Sequence, residues 1–155
     1  MKNMYMAKAI QEAERGVRSN HGGPFGAVIV RNGALIAAAH NQVLRDHDPT
    51  AHAEVLAVRR AAKKLQHFDL SDCEIYTTCE PCPMCLAALY WARIDKIYYG
   101  CTRLDAAEIG FDDDLIYRIL AGRCNRERIE TETIEREACL QVFKRWLEKS
   151  DRRLY

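Results

Sequence analysis

The stretch CEIYTTCEPCPMCLAALYWARIDKIYYG (residues 73–100) decides the fold of this 155-residue chain. Its first six residues are mostly apolar or β-branched and predict a buried strand, and its last seven residues predict another. Between them, residues 79–93 predict a turn that leads into a helix, because Pro81 and Pro83 are typical of a helix start. A strand, a helix and a strand in this order indicate an α/β layered domain.

The residues upstream of this stretch add a hairpin and a helix. Apolar runs at residues 26–30 and 34–39 flank Asn32-Gly33, a dipeptide that is a strong signal for a tight β-hairpin turn. Before the hairpin, apolar side chains recur at roughly helical spacing and predict an amphipathic first helix with this face: Met6, Ala7, Ile10, Ala13 and Val17.

A second helix is predicted between the hairpin and residue 73. Residues 48–50 (Asp-Pro-Thr) combine a helix breaker with capping side chains, and they precede the helical pattern of residues 51–65. We therefore expect His52 and Glu54 in the first turn of this helix. Its predicted apolar face consists of Val58, Ala61, Ala62 and Leu65.

The last third of the chain is more mixed. Residues 114–122 predict a short helix that ends at Gly122, and residues 127–134 alternate like a strand or an extended segment. Residues 135–150 predict a final amphipathic helix. No linker or internal repeat divides the chain, so we expect one domain over residues 1–155.

Composition and charge favour some classes of function and exclude others. Apolar residues make up 48% of the chain, enough for a single core. The 23 Lys and Arg residues nearly balance the 22 Asp and Glu residues, which argues against a nucleic-acid partner. Charges interrupt every apolar stretch, so no signal peptide or membrane span is expected. The seven cysteines then predict reduced thiols in the cytoplasm, with some of them available to a metal.

Two short segments carry the ligands of a predicted metal site. His52, Cys82 and Cys85 offer one imidazole and two thiolates, which suit one zinc ion with a water or hydroxide as the fourth ligand. Glu54 lies beside these ligands and can act as a proton shuttle. A Cys-x-x-Cys pair alone is also compatible with a redox pair, and Cys79 forms a second such pair with Cys82.

The combination of His-x-Glu and Pro-Cys-x-x-Cys is identified as the signature of the zinc deaminases. The chain resembles the cytidine deaminase superfamily and, within it, the bacterial guanine deaminases. This second resemblance covers nearly the whole chain and is carried by GGPFGAVIV, DPTAHAEV, CEPCPMCL with YWAR, DAAEIGFDDDLIY and a terminal tyrosine. It implies a three-layer αβα fold with a five-stranded mixed sheet between helices.

The resemblance also implies an activity and a set of residues. The activity is the hydrolysis of guanine, a free purine base, to xanthine and ammonia. Glu54 and Asp113 would be catalytic, with Asp113 accepting from the amino group of the base. Asn41 would hydrogen-bond the base, and Phe25 and Trp91 would enclose its ring. Tyr155 would close the pocket. The C-terminal segment is expected to cross to a partner subunit, which predicts a homodimer.

Three other functions remain open at this stage. Deamination of adenosine in tRNA needs a basic surface, which the charge balance disfavours. Deamination of cytosine or of triazine-type bases differs only in the pocket. A structural zinc-binding module would need a fourth protein ligand, for which Cys79 is the obvious nearby candidate.

Overall fold

A computed structural model describes residues 1–123 and 129–154 of the chain. Four strands form its sheet: β1 (Gly26–Arg31), β2 (Ala34–His40), β3 (Cys73–Cys79) and β4 (Lys96–Cys101). The helices are α1 (Lys2–Arg18), α2 (Val43–Asp46), α3 (Ala53–Leu65), α4 (Pro83–Trp91), α5 (Arg103–Glu108), α6 (Asp114–Leu120) and α7 (Arg136–Glu148). None of the described helices combines the length and apolarity needed to cross a bilayer.

The sheet is mixed, with the strand order β2-β1-β3-β4. Strand β1 pairs antiparallel with β2 and with β3, whereas β3 and β4 are parallel and are connected through α4. The hairpin turn is the predicted one: Asn32 and Gly33 both have positive φ angles, as a type I′ turn requires. This backbone conformation strongly favours glycine at the second position.

Helices cover both faces of the sheet, so the three-layer αβα prediction is confirmed. One core lies between the sheet and the helices α3 and α4, and it includes Ile29, Ile75 and Leu89. A smaller core lies under α1 and includes Tyr5, Val28 and Tyr76. Ridges of alanine let the helices approach closely in both cores.

The structure differs from the sequence predictions in the number of strands and in the buried face of α1. The sheet has four strands within the described residues, not five. Residues 129–134 form no strand, which leaves the extended segment of the two predicted alternatives. Helix α1 buries Tyr5 and Ala9 against the sheet and leaves Ile10 and Val17 about half exposed, so its predicted apolar face is rotated. Helix α3 packs its predicted face against the core, with Ala61 buried and Val58 and Leu65 in contact with the core cluster, and it also buries residues nearer its start: Ala53, Glu54, Val55 and Ala57.

The final helix, α7, stands apart from both cores. None of its residues, all of which are described, is buried. Its large apolar side chains are exposed or nearly so: Val142, Phe143, Trp146 and Leu147. An amphipathic helix gains its stability by burying such a face, and no residue in the described ranges 1–123 and 129–154 covers the apolar surface of α7.

Candidate active site

The candidate site lies where two helices begin at one end of the sheet. His52 is the N-cap residue of α3, one position before the first turn in which the sequence placed it. Cys82 is the N-cap residue of α4, which follows β3 after a three-residue connection, and Pro83 opens that helix. Both helix N-termini therefore meet at one point, and their dipoles favour negative charge there.

The three predicted ligands are brought together at this point. The Nδ1 atom of His52 lies 3.6 Å from the Sγ atom of Cys82 and 3.5 Å from the Sγ atom of Cys85. All three atoms lie within 4.8 Å of one another. Ordinary Zn–N and Zn–S bond lengths at a tetrahedral angle separate nitrogen and sulfur by about 3.5 Å. The triad therefore fits one zinc ion per chain, bound through Nδ1 of the histidine.

The surroundings of the two cysteines shift their pKa values in opposite directions. The pKa of the Cys82 thiol is lowered by a hydrogen bond with Cys85 and by the neighbouring His52. The hydrogen bond with Cys82, burial and the nearby Glu54 raise the pKa of the Cys85 thiol. One thiolate forms readily at this site without a metal, whereas the second needs a positive charge beside it.

Glu54 lies next to the triad without being part of it. Its side chain is buried, with a residue exposure of 5%. The Oε1 atom accepts a hydrogen bond from Oγ1 of Thr77 at 2.9 Å, and Sγ of Cys85 donates to Oε2 at 3.4 Å. Burial raises the pKa of this carboxyl, which suits a group that must hold and release a proton.

A cavity of about 330 Å³ opens onto Glu54 and onto two residues of the triad, His52 and Cys82. Besides Glu54, its lining includes three further residues predicted to bind the substrate or take part in catalysis: Phe25, Asn41 and Asp113. Phe25 meets Phe111 edge to face, with ring centroids 5.0 Å apart, so two aromatic rings form one wall. This cavity is the size of a small-molecule site, a class that begins at about 300 Å³.

The hydrogen bonds of Asn41 define what this side chain can offer a ligand. Its Oδ1 atom accepts from the backbone N–H of Gly23 at 3.3 Å and of Val43 at 3.2 Å. A carbonyl oxygen has two lone pairs, and both are used here. Asn41, which is only 4% exposed, is therefore available to a ligand as a donor through Nδ2.

Asp113 occupies the N-cap position of α6, but its side chain makes no capping hydrogen bond. The neighbouring Asp112 accepts from the backbone N–H of Asp114 instead. Burial, together with the nearby Cys82, raises the pKa of Asp113, and Arg103 acts in the opposite direction. The carboxylate of Asp113 thus faces the cavity without a capping role.

Other predicted residues lie elsewhere. Trp91 is 68% exposed at the end of α4 and does not line this cavity. Tyr155 lies outside the described residues. Cys79 is buried and lines the cavity, but its Sγ atom donates to the carbonyl of Thr102 at 3.5 Å and does not belong to the triad. Within the described part of the chain, no fourth protein ligand closes the metal site.

Sequence reasoning missed several residues around the cavity. Thr77 contacts Glu54 across 23 positions, which no local pattern reveals. Arg103 stacks over the ring of Tyr117 at 4.6 Å, and the hydroxyl of Tyr117 donates to the carbonyl of Pro81 at 3.2 Å. This chain of contacts attaches α6 to the loop before Cys82. The sequence around Tyr117 does not indicate this contact, because a tyrosine in a short helix is often exposed to solvent.

The structure is similar to solved structures of guanine deaminases. The X-ray structure of guanine deaminase from Bacillus subtilis superposes with a TM-score of 0.93 at 43% identity, covering 99% of this chain and 98% of that one. A structure of guanine deaminase from Nitrosomonas europaea superposes with a TM-score of 0.67 at 34% identity, covering 70% of this chain and 63% of that one.

Sequence relatives point in the same direction. The chain is 44% identical to the guanine deaminase of Bacillus subtilis over 151 residues, 97% of either protein. It is 42% identical to a tRNA-specific adenosine deaminase of Aquifex aeolicus over 99 residues, which cover 64% of this chain and 65% of that one. Residues 1–101 match the model of the cytidine and deoxycytidylate deaminase zinc-binding region. The chain therefore belongs to this family of zinc-dependent deaminases.

Proposed function

We propose that the protein hydrolyses guanine to xanthine and ammonia. The observation that carries the proposal is the cavity above the triad, because it combines an amide donor on Asn41, a carboxylate on Asp113 and the ring of Phe25. These groups match the edge and the face of a flat purine base. The near full-length similarity to a guanine deaminase supports the same substrate.

The chemistry assigned to the chain's own residues is a proton transfer and a set of binding contacts. A zinc ion held by His52, Cys82 and Cys85 would supply the Lewis acidity that brings the pKa of a water molecule close to 7. Glu54 accepts a proton from the attacking water and returns it to the departing amino group, so that ammonia leaves as a neutral molecule. Its buried position excludes bulk water from this exchange.

Asp113 and Asn41 orient the base above Glu54. An ionised carboxylate accepts from the amidine-like N–H groups of guanine, and the Nδ2 amide of Asn41 donates to an acceptor on the ring. Asp113 has no capping duty that would compete with this role. The wall formed by Phe25 and Phe111 contacts the base through apolar surface.

We infer that the active unit is a homodimer in which C-terminal segments are exchanged. The exposed apolar side chains of α7 supply a surface that needs a partner. Trp91, which lies away from its own chain's cavity, can enclose a base only if a second copy presents it. Tyr155 keeps its proposed role as the residue that closes the pocket, on the strength of the sequence resemblance alone.

The cytoplasm is the proposed location. The six cysteines of the described residues are all free thiols: Cys73, Cys79, Cys82, Cys85, Cys101 and Cys139. A reducing compartment maintains thiols in this state.

The deciding experiment measures ammonia release from a panel of substrates by the zinc-loaded protein. The panel contains guanine, cytosine, cytidine, adenosine, an amino-triazine and a tRNA anticodon hairpin. We expect the highest kcat/KM with guanine, and Glu54→Gln protein purified in the same way controls for contaminating deaminases. A higher kcat/KM with the hairpin would favour tRNA deamination, and a higher value with any other member would equally contradict the proposal.

A further inference from the structure

Three titratable side chains next to Asn41 are hydrogen-bonded in series. Oε2 of Glu12, on α1, lies 2.8 Å from Nδ1 of His40, the last residue of β2. The other nitrogen of His40, Nε2, lies 2.9 Å from Nδ1 of His21. We call Glu12, His40 and His21 the histidine relay. None of its members lines the catalytic cavity or belongs to the metal triad.

The two rings of the histidine relay meet along a hydrogen bond and not face to face. Their centroids are 5.1 Å apart and their planes differ by 24°. This separation is close to the N···N distance of 2.9 Å plus the two ring radii, so the nitrogens lie on the line between the centroids. Such a geometry transmits orientation from one ring to the next.

The neighbours of His40 fix its tautomer. The carboxylate of Glu12 can only accept, so Nδ1 of His40 carries the hydrogen. Oε1 of Gln42 accepts from Arg45 at 2.8 Å and from Arg60 at 3.4 Å, which turns the amide nitrogen of Gln42 toward Nε2 of His40 at 3.4 Å. With the hydrogen on Nδ1, a neutral His40 has one lone pair on Nε2, and Nδ1 of His21 at 2.9 Å donates to it; the Gln42 amide at 3.4 Å is the weaker contact.

His21 connects this fixed ring to the segments that hold Asn41. Its carbonyl accepts from the backbone N–H of Leu44 at 3.0 Å and of Arg45 at 3.1 Å, and its own N–H donates to the carbonyl of Gly16. His21 also begins the loop that contains Gly23, whose N–H donates to Oδ1 of Asn41. The backbone N–H groups of Gly23 and Val43 orient the Asn41 amide. Gly23 lies two residues after His21, and Val43 lies next to Leu44, whose N–H donates to the carbonyl of His21.

We propose that His40 is a positioning residue for the substrate, acting through His21 on the amide of Asn41. His40 is only 1% exposed and cannot reach the base, yet its hydrogen bond joins the end of β2 to His21, whose backbone carbonyl accepts from the start of α2. Loosening that connection lets the Asn41 amide rotate away from the base. The inference rests on the proposed role of Asn41 in binding the base.

The test compares two substitutions that differ in the atom they preserve. In His40→Asn the side-chain amide occupies the place of Nδ1 and can still donate to Glu12, but nothing reaches His21. In His40→Gln the longer amide occupies the place of Nε2, and its oxygen can accept from His21 and Gln42. Both variants are polar and of similar size, so a general effect of altering a buried site would affect them alike.

We expect His40→Asn to raise KM about tenfold while kcat stays within about twofold of the parent, because the loss concerns binding and not the chemical step. His40→Gln should keep KM within about threefold of the parent. Zinc content should be unchanged in both. Equal KM values for the two variants, or a fall in kcat with KM unchanged, would overturn the inference.

A substitution outside the core guards against misfolding of the first pair. His21 is only partly buried, so His21→Leu should fold even where His40→Asn does not. We expect it to raise KM by a similar factor, and the double variant with His40→Asn to show no further increase. An unchanged KM in His21→Leu, or fully additive effects in the double variant, would contradict the relay.

The KM ratios are measured on guanine and on whichever base of the panel the parent deaminates fastest. A parent that prefers another base contradicts the proposed substrate, and the ratios on that base still test His40. A parent that turns over guanine while the variants keep its KM contradicts only the role of His40. A parent inactive on every base overturns both.

Discussion

Oγ1 of Thr77 donates a hydrogen bond to Oε1 of Glu54 over 2.9 Å, and both side chains are buried. This contact joins the middle sheet strand β3 to the first turn of α3. Because one carboxylate oxygen is anchored, the other, Oε2, stays on the side of Cys85 and the triad. Thr77 thus sets the direction in which Glu54 can exchange a proton.

Replacing Thr77 tests that relationship. Thr77→Val keeps the shape but removes the hydroxyl, and we expect kcat to fall about tenfold with KM and zinc content unchanged, because the misdirected proton transfer affects only the chemical step. Thr77→Ser should restore most of kcat. Thr78→Val is a matched control on the same strand, since Thr78 accepts from the backbone of Gly26 and not from the site. A similar loss of kcat in Thr78→Val would mean that strand stability is responsible.

The shuttle itself is tested by Glu54→Gln. The amide has nearly the same size but cannot carry the proton, so kcat should fall by ~10²–10⁴. Zinc, measured by elemental analysis, should remain at one ion per chain because Glu54 is not part of the triad. Activity within tenfold of the parent would remove Glu54 from the mechanism. Loss of zinc would make it a ligand.

Glu54 should also cost stability in the zinc-free protein. Burial raises its pKa above the ordinary value of 4.5, so the folded state holds a proton that the unfolded state releases. The penalty is absent below about pH 4.5, where both states are protonated, and grows as the pH rises toward the folded-state pKa. Thermal unfolding of chelator-treated protein should therefore give Glu54→Gln a higher Tm than the parent at pH 7 and an equal Tm at pH 4. A difference that does not depend on pH would contradict this cause.

The two overlapping Cys-x-x-Cys pairs predict opposite outcomes for their cysteines. Cys82→Ala should abolish stoichiometric zinc because it removes one of three ligands. Cys79→Ala should retain the metal, since the Cys79 thiol bonds to Thr102 and burial raises its pKa to about 11, which keeps it protonated. Elemental analysis of both variants decides the ligand set. Loss of zinc in Cys79→Ala alone would reverse the assignment.

The proposed exchange of C-terminal segments is tested by deleting residues 151–155. The truncated protein should keep its zinc and its circular dichroism spectrum while guanine turnover falls severely, because the pocket loses its cover. Mixing it with Glu54→Gln chains should restore part of the activity, since the intact tail then closes over an intact catalytic site. Full activity of the truncated chain would eliminate the lid. Mixed dimers without recovery would place the lid within its own chain.

The zinc triad was predictable because its ligand chemistry depends on few residues in short spacings. His52, Cys82 and Cys85 lie at helix starts that Pro49, Pro81 and Pro83 already indicate. The hairpin at Asn32-Gly33 was predictable for a similar reason, since its backbone conformation is local. Both are properties of a few neighbouring positions.

Contacts between distant segments were not predictable in this way. The prediction for the face of α1 is wrong because Tyr5 and Ala9 pack against the sheet, whereas Ile10 and Val17 line a surface groove. Thr77, the partner of Glu54, and Glu12, a partner of His40, come from a strand and a helix more than twenty residues away. The position of Trp91 was also hidden, since a helix that is apolar on all sides does not show which side faces the cavity.

Under the proposed exchange of C-terminal segments, the exposed apolar face of α7 would make the activity of the chain depend on its concentration. Dilution would then separate the two copies and expose Phe143 and Trp146 to water. The melting temperature and the specific activity would fall together. A C-terminal segment that binds a third copy, instead of exchanging with the copy that already binds it, would produce an open chain of subunits in place of a closed dimer. Helix α7 would then mediate dimer formation at moderate protein concentration and polymer growth at high protein concentration.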